Sequence, residues 1–220
     1  MIAVLLVALI AVVVVTALRG GGGGTSEPTP TAQATTVNRL SPAQTVEADD
    51  DPSLPGEYVD LPAIYGGHYG DQPGTASHVS YAIDYSPQGL PPAGGPHWGS
   101  GPCGDKPSEA PLLCGPVVWG IYREPWPAES LVHNLEHAGV VIWYNTSDQG
   151  VIDRLESYAS AKLDADTRLV LAPYPDMAAE TVAITVWSRR DTMPASELDT
   201  ARLDDFIDVL YCRFDPERFC

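Results

Sequence analysis

The stretch "PAESLVHNLEHAGVVIWY" (residues 127–144) changes character at its middle. Pro127 near the start, Glu129 in the first turn and Gly139 just past the end predict a helix over 127–138. "VVIWY" (140–144) then has the β-branched and aromatic content of a buried strand. A helix leading straight into a buried strand calls for a mixed architecture, and the flanking sequence agrees.

Downstream, "SDQGVIDRLESYASAKL" (147–163) opens with a Ser or Asp cap and repeats apolar residues at Val151, Ile152, Leu155 and Tyr158, which predicts an amphipathic helix. "RLVLAPY" (168–174) and "TVAITVWSR" (181–189) read as strands, and "ELDTARLDDFIDVLYCRF" (197–214) as a closing helix. Upstream, "HVSYAIDY" (78–85) alternates like a strand and "VVWGIY" (117–122) reads as a short one. Between them, residues 86–116 carry too many Pro and Gly for regular structure. The expected fold is a single α+β domain with a mainly antiparallel sheet, about three helices and a long Gly/Pro-rich loop. A loop of that length in a compact domain tends to carry function.

The first eighteen residues, "MIAVLLVALIAVVVVTAL", contain no charged side chain. They predict an uncleaved transmembrane anchor over 1–18, with a cleaved signal peptide as the alternative. Residues 19–56 are dominated by Gly, Thr, Pro and acidic groups and read as a flexible low-complexity tether. Residues 57–220 are then the extracytoplasmic domain.

The 220 residues include 29 acidic and 12 basic side chains, a formal charge of −17. Such an acidic excess argues against nucleic acid as a partner, whose binding depends on cationic neutralisation of phosphates. Four cysteines, Cys103, Cys114, Cys212 and Cys220, accompany the export segment and fit disulfides in an oxidising compartment. Three pairings are open to them; 103–114 with 212–220 is the expected one. None shows the C-x₂-C spacing of a zinc site.

Two of the five histidines, His133 and His137, are four residues apart on the predicted helix and share a face, with Glu136 beside them. His-x-x-Glu-His matches the inverzincin string, in which both histidines hold zinc and the glutamate deprotonates the bound water. Inverzincins are much larger and need a distant glutamate ligand; Glu180 and Glu197 are the conceivable ones, and nothing selects either. His97, in "PPAGGPHWG", is the better third ligand, because the small residues around it let the loop approach the helix closely. His97, His133 and His137 would suit copper or zinc, with Cu(II) the tighter. Met177 would add a soft ligand for Cu(I), although a loop methionine packing against Tyr174 is the plainer reading. His78 reads as a surface or edge residue and His68 as a weak candidate for a second site.

The segments "YSPQGLPPAGGPHWG", "GIYREPWPAESLVHNLEHAGVVIWYN" and "LVLAPYPDM" resemble an uncharacterised bacterial family of membrane-anchored extracytoplasmic proteins, a domain of unknown function. The resemblance covers roughly residues 81–190, and His97, His133, Glu136 and His137 occupy its motif positions. It implies an exported location and a functional role for those four residues, and supplies no reaction. Ala138 stands where the family usually has Gly, with Gly139 expected to end the helix instead, and a Cys-bounded insertion follows His97.

The leading expectation is a membrane-anchored extracytoplasmic protein that holds one copper or zinc ion through His97, His133 and His137, with Glu136 as a supporting or fourth ligand. The domain would lie outside a single-pass anchor in the cell membrane. The first alternative is a small metal-dependent hydrolase with Glu136 as general base. The second is a non-catalytic accessory subunit docked on a membrane protein complex.

Overall fold

The computed structural model describes residues 50–66, 76–100, 114–215 and 219–220. His68, Cys103, the predicted anchor (1–18) and most of the expected tether lie outside the described residues.

In chain order the elements are β1 (Glu57–Tyr58), α1 (Leu61–Tyr65), β2 (His78–Val79), β3 (His97–Trp98), β4 (Gly120–Ile121), α2 (Ala128–Glu136), β5 (Val140–Asn145), α3 (Gln149–Asp164), β6 (Leu169–Pro173), β7 (Thr181–Val186), β8 (Arg189–Pro194) and α4 (Thr200–Leu210). The fold is α+β, as expected, with four helices among the described residues rather than about three; α1 is the addition. No helix among the described residues is long and apolar enough to cross a membrane.

Six strands form one sheet in the order β1-β8-β7-β5-β6-β4. The β1–β8, β8–β7 and β7–β5 pairs are antiparallel, whereas β5–β6 and β6–β4 are parallel. The sheet is therefore mixed. Parallel pairing of β5 with β6 requires a crossover, which α3 supplies.

Successive β5 side chains point to opposite faces, and both faces are covered. Val141 and Trp143 join a core with Leu131, Val132 and Leu135 of α2. Val140, Ile142 and Tyr144 join a second core with Val151 and Leu155 of α3 and Leu203 and Phe206 of α4. Asp148 and Asp199 cap α3 and α4 by accepting N–H bonds from Gly150 and Val151, and from Ala201 and Arg202.

Two strand expectations need correction. The predicted 78–85 strand ends at Val79; Tyr81 is exposed, and the backbone N–H of Ile83 donates to the Glu129 carboxylate instead of to a sheet neighbour. The predicted 181–189 strand is the first arm of a hairpin that turns at Trp187 and Ser188 and returns as β8. The composition of β8, "RRDTMP", hides it, because Arg189 and Arg190 are buried by backbone partners. The Arg189 guanidinium donates to the carbonyls of Asp51, Leu54 and Gly56 at 2.7, 3.3 and 3.1 Å, fastening the last residues of the expected tether to the sheet. Arg190 donates to the carbonyls of Gln88 and Pro91 and to Glu57.

The end of α2 also differs from expectation. The N–H of Ala138 donates to the carbonyl of Leu135 and that of Gly139 to Asn134, both at 3.1 Å, the paired bonds of a Schellman cap. Ala138 itself takes the left-handed conformation (φ 59°). Gly139 serves another need: a Cβ there would lie 2.4 Å from the Trp119 ring.

Candidate metal centre

Two features shape the long loop and seat it against α1, just before β3 reaches α2. Gln88, buried, closes the loop by accepting from the Ala93 N–H (2.9 Å) and donating to the Gly94 carbonyl (2.8 Å) and the Tyr65 hydroxyl (2.9 Å). Gly94 and Gly95 take φ of 144° and 108°, and a Cβ would lie 2.5 Å from Leu61 or 2.7 Å from Tyr65 respectively. The small residues before His97 thus permit a close approach, but to α1 and not to the histidine-bearing helix that the sequence suggests. β3 packs on α2, and β2 pairs with β3 in parallel, His78 directly beside His97.

Four side chains converge there: His78, His97, His133 and Glu136. One potential ligand atom from each lies within 4.8 Å of all the others. The ring centroids of the three histidines form a nearly equilateral triangle with sides of 4.8, 4.9 and 5.0 Å. Glu136 Oε2 is 2.9 Å from His97 Nε2, 3.1 Å from His78 Nε2 and 3.9 Å from His133 Nε2. His97, Glu136 and His133 are buried, whereas the His78 side chain is 46% exposed, so the group meets solvent on the His78 side.

The backbone sets two of the tautomers. His97 Nδ1 is 2.9 Å from the Gly95 carbonyl, and His133 Nδ1 is 2.6 Å from the Trp98 carbonyl. A carbonyl only accepts, so both Nδ1 atoms carry hydrogen and donate. That leaves the Nε2 lone pairs for the centre. Metal-ligating histidines are oriented by outer partners in this way.

Charge completes the picture. Burial pushes the His133 imidazole down to about 4 against the raising effect of its bond to Trp98, so it is neutral at pH 7, the form that binds metals. Burial would raise the Glu136 carboxyl. Its hydrogen bond with His97 and the charges of His97 and His78 outweigh that and hold it below the usual carboxylate value. The group therefore offers the neutral imidazole nitrogen of His133 beside the Glu136 carboxylate oxygen, and it contains no thiol.

His137 stands outside the set of mutually close ligand atoms, contrary to the expected three-histidine group, and His78 stands in its place. The i, i+4 spacing does bring His137 Nε2 to 3.1 Å from His133 Nε2. Its ring, however, lies against Phe219, 4.3 Å between centroids. Burial lowers its proton affinity too. Glu180 accepts from the Thr146 hydroxyl, and Glu197 lies in the turn before α4; neither belongs to the group. Met177 is in the core, its N–H donating to the Tyr174 carbonyl, as the plainer reading has it. Cys212 and Cys220 are joined in a disulfide; Cys114 is disulfide-bonded too. The signal for His78 was its pairing with His97 across a two-residue bridge, which spacing alone does not reveal.

A family model described as a protein of unknown function (DUF3105) matches residues 78–218, a span that holds all four clustered residues. The chain belongs to the DUF3105 family. Within this DUF3105 domain the match begins at His78, the first residue of the cluster. No curated protein and no solved structure matches the chain.

Proposed function

We propose that the DUF3105 domain of this chain is a metal-binding module that holds one zinc or copper ion through His78, His97, His133 and Glu136. The observation that carries the reading is the 2.9 Å approach of His97 Nε2 to Glu136 Oε2. With Nδ1 donating to Gly95, Nε2 of a neutral His97 has only a lone pair to set against a carboxylate lone pair. Such an approach inside a protein needs a cation or an extra proton between the two, and two further imidazoles face the same point.

Three nitrogens and one oxygen suit Zn²⁺ or Cu²⁺. At a Zn–N distance of ~2.0 Å, tetrahedral donors lie ~3.3 Å apart, so the widest separations here, up to 4.8 Å, close by roughly 1.5 Å on filling. A bound ion would act as a Lewis acid, and the half-exposed His78 marks the side from which solvent or a small ligand reaches it. Glu136 Oε2 lies among the donor atoms, which favours a ligand over the general base of a hydrolase.

Anchoring in the cell membrane with the domain on the extracytoplasmic side completes the proposal. The uncharged N-terminal segment and the Cys212–Cys220 disulfide support it. Metal analysis and calorimetric titration of protein purified without an affinity tag test the reading. One equivalent of zinc or copper is expected, weakened at least tenfold in His78→Ala, whose half-exposed side chain leaves no deep cavity. Failure of the metal-free protein to bind either ion would refute it.

A further inference from the structure

A second site lies at the opposite end of α2, beside its first turn. It is a cleft of about 440 Å³ whose aromatic walls are Tyr85, Trp126 and Tyr174 and whose charge comes from Asp84, Glu129 and Asp176. No Lys, Arg or His is among its described lining residues. The histidine-containing group is the one set of potential ligands that converges among the described residues, so these three carboxylates do not gather around a point as they would for a bare metal ion.

Two buried polar groups give the cleft a built character. Glu129 is only 8% exposed; one carboxylate oxygen accepts from the Ile83 N–H at 2.9 Å, and the other has no hydrogen bond among the described residues. Tyr174 is only 6% exposed, and its hydroxyl has no hydrogen-bond partner among the described residues. Its ring is fixed by edge contact with Trp143 (centroids 5.0 Å apart), whose Nε1–H is in turn held by the Thr185 hydroxyl at 2.8 Å. Trp126 packs edge-on against Tyr122 at 5.3 Å and is half-buried. Burial, with help from Asp176 and Glu129, raises the Tyr174 hydroxyl to about 12, so it stays a neutral phenol whose oxygen accepts.

We infer that this cleft binds an organic ammonium ion with a compact apolar body. The ammonium N–H groups meet the free oxygen of Glu129 and the phenolic oxygen of Tyr174. The indole of Trp126 supplies a face for the cation and cover for the apolar part. Asp84 and Asp176 add negative potential at the mouth, and the net charge of −17 draws cations toward it. An anion meets three carboxylates, and a neutral ligand gains no ionic attraction from them. The cleft uses residues outside the proposed metal ligands, so its test stands apart from theirs.

Phenethylammonium, 2-phenylethanol and phenylacetate, titrated separately while Trp fluorescence and binding heat are followed, form a matched set of cation, neutral and anion. The ammonium is expected to bind at least tenfold more tightly than the alcohol, and the carboxylate not at all. Trp126→Ala and Glu129→Gln should each weaken it by about tenfold. Asp176→Asn, an exposed change that leaves the fold alone, should weaken it by a few fold with metal content unchanged. Equal affinity for ammonium and alcohol, no binding at millimolar ammonium, or full affinity in the Trp126→Ala and Glu129→Gln variants would overturn the inference.

Discussion

His97 and Glu136, thirty-nine residues apart in sequence, face each other with Nε2 and Oε2 2.9 Å apart in a fully buried position. Replacing Glu136 by Gln puts an amide N–H₂ where the carboxylate was and gives the His97 lone pair a donor. Glu136→Gln should therefore change metal-free stability by no more than about 1 kcal/mol, a neutral hydrogen bond taking the place of the two opposed lone pairs. It should also remove the gain from added metal, about 4 kcal/mol at a thousandfold excess over Kd. Denaturant unfolding with and without metal checks both. A metal-free loss of about 3–5 kcal/mol would mark Glu136 as the partner of a buried imidazolium instead.

Gln88 closes the loop that carries His97. Gln88→Leu leaves the Ala93 N–H and the Gly94 carbonyl without partners, at a cost of about 1–3 kcal/mol. Because the loop positions a ligand, metal affinity should fall roughly 10–100-fold, as for outer-shell changes at metal sites. Unfolding and metal titration of the same sample separate the two effects.

Neighbouring positions at the end of α2 should respond in opposite ways. Gly139→Ala drives a methyl into Trp119 and should cost about 1–3 kcal/mol. Ala138→Gly relieves a left-handed alanine (φ 59°) while losing a buried methyl and freeing the unfolded chain, so its net effect should stay within about 1 kcal/mol. Thermal unfolding of the two variants side by side tests this division of labour.

Asp204 of α4 accepts from the Tyr158 hydroxyl and pairs with Lys162, both on α3. The hydrogen bond from Lys162, against a smaller opposing effect of burial, holds its carboxyl below the usual value. A depressed folded value adds stability above the unfolded pKa of about 3.9, and that stability is lost as pH falls through the folded value. Asp204→Asn should cost less than about 1 kcal/mol at pH 7, since the pair is partly exposed. The difference from the parent should narrow as pH falls below about 4, which a pH series of unfolding midpoints measures.

Strongly patterned elements were legible in the sequence. The amphipathic period of α3, the closing helix α4, the β-branched and aromatic run of β5 and the strands β6 and β7 all survive in the fold. β8 was not legible, because its buried arginines are satisfied by carbonyls from residues 51–56 and 88–91, far away in sequence. At the centre, His97, His133 and Glu136 were visible from a loop of small residues and a helical spacing. His78 was not, because a two-residue bridge to His97 fixes its place. Helical spacing favoured His137 and did bring it to His133; Phe219, from the end of the chain, covers the other side of its ring.

Anomalous diffraction at the zinc or copper edge, from crystals of protein purified with its own metal, tests the central claim most directly. One peak is expected ~2.0–2.2 Å from Nε2 of His78, His97 and His133 and from Oε2 of Glu136. A metal-loaded crystal with its peak elsewhere, or with those four side chains still in direct contact and no peak between them, would contradict it.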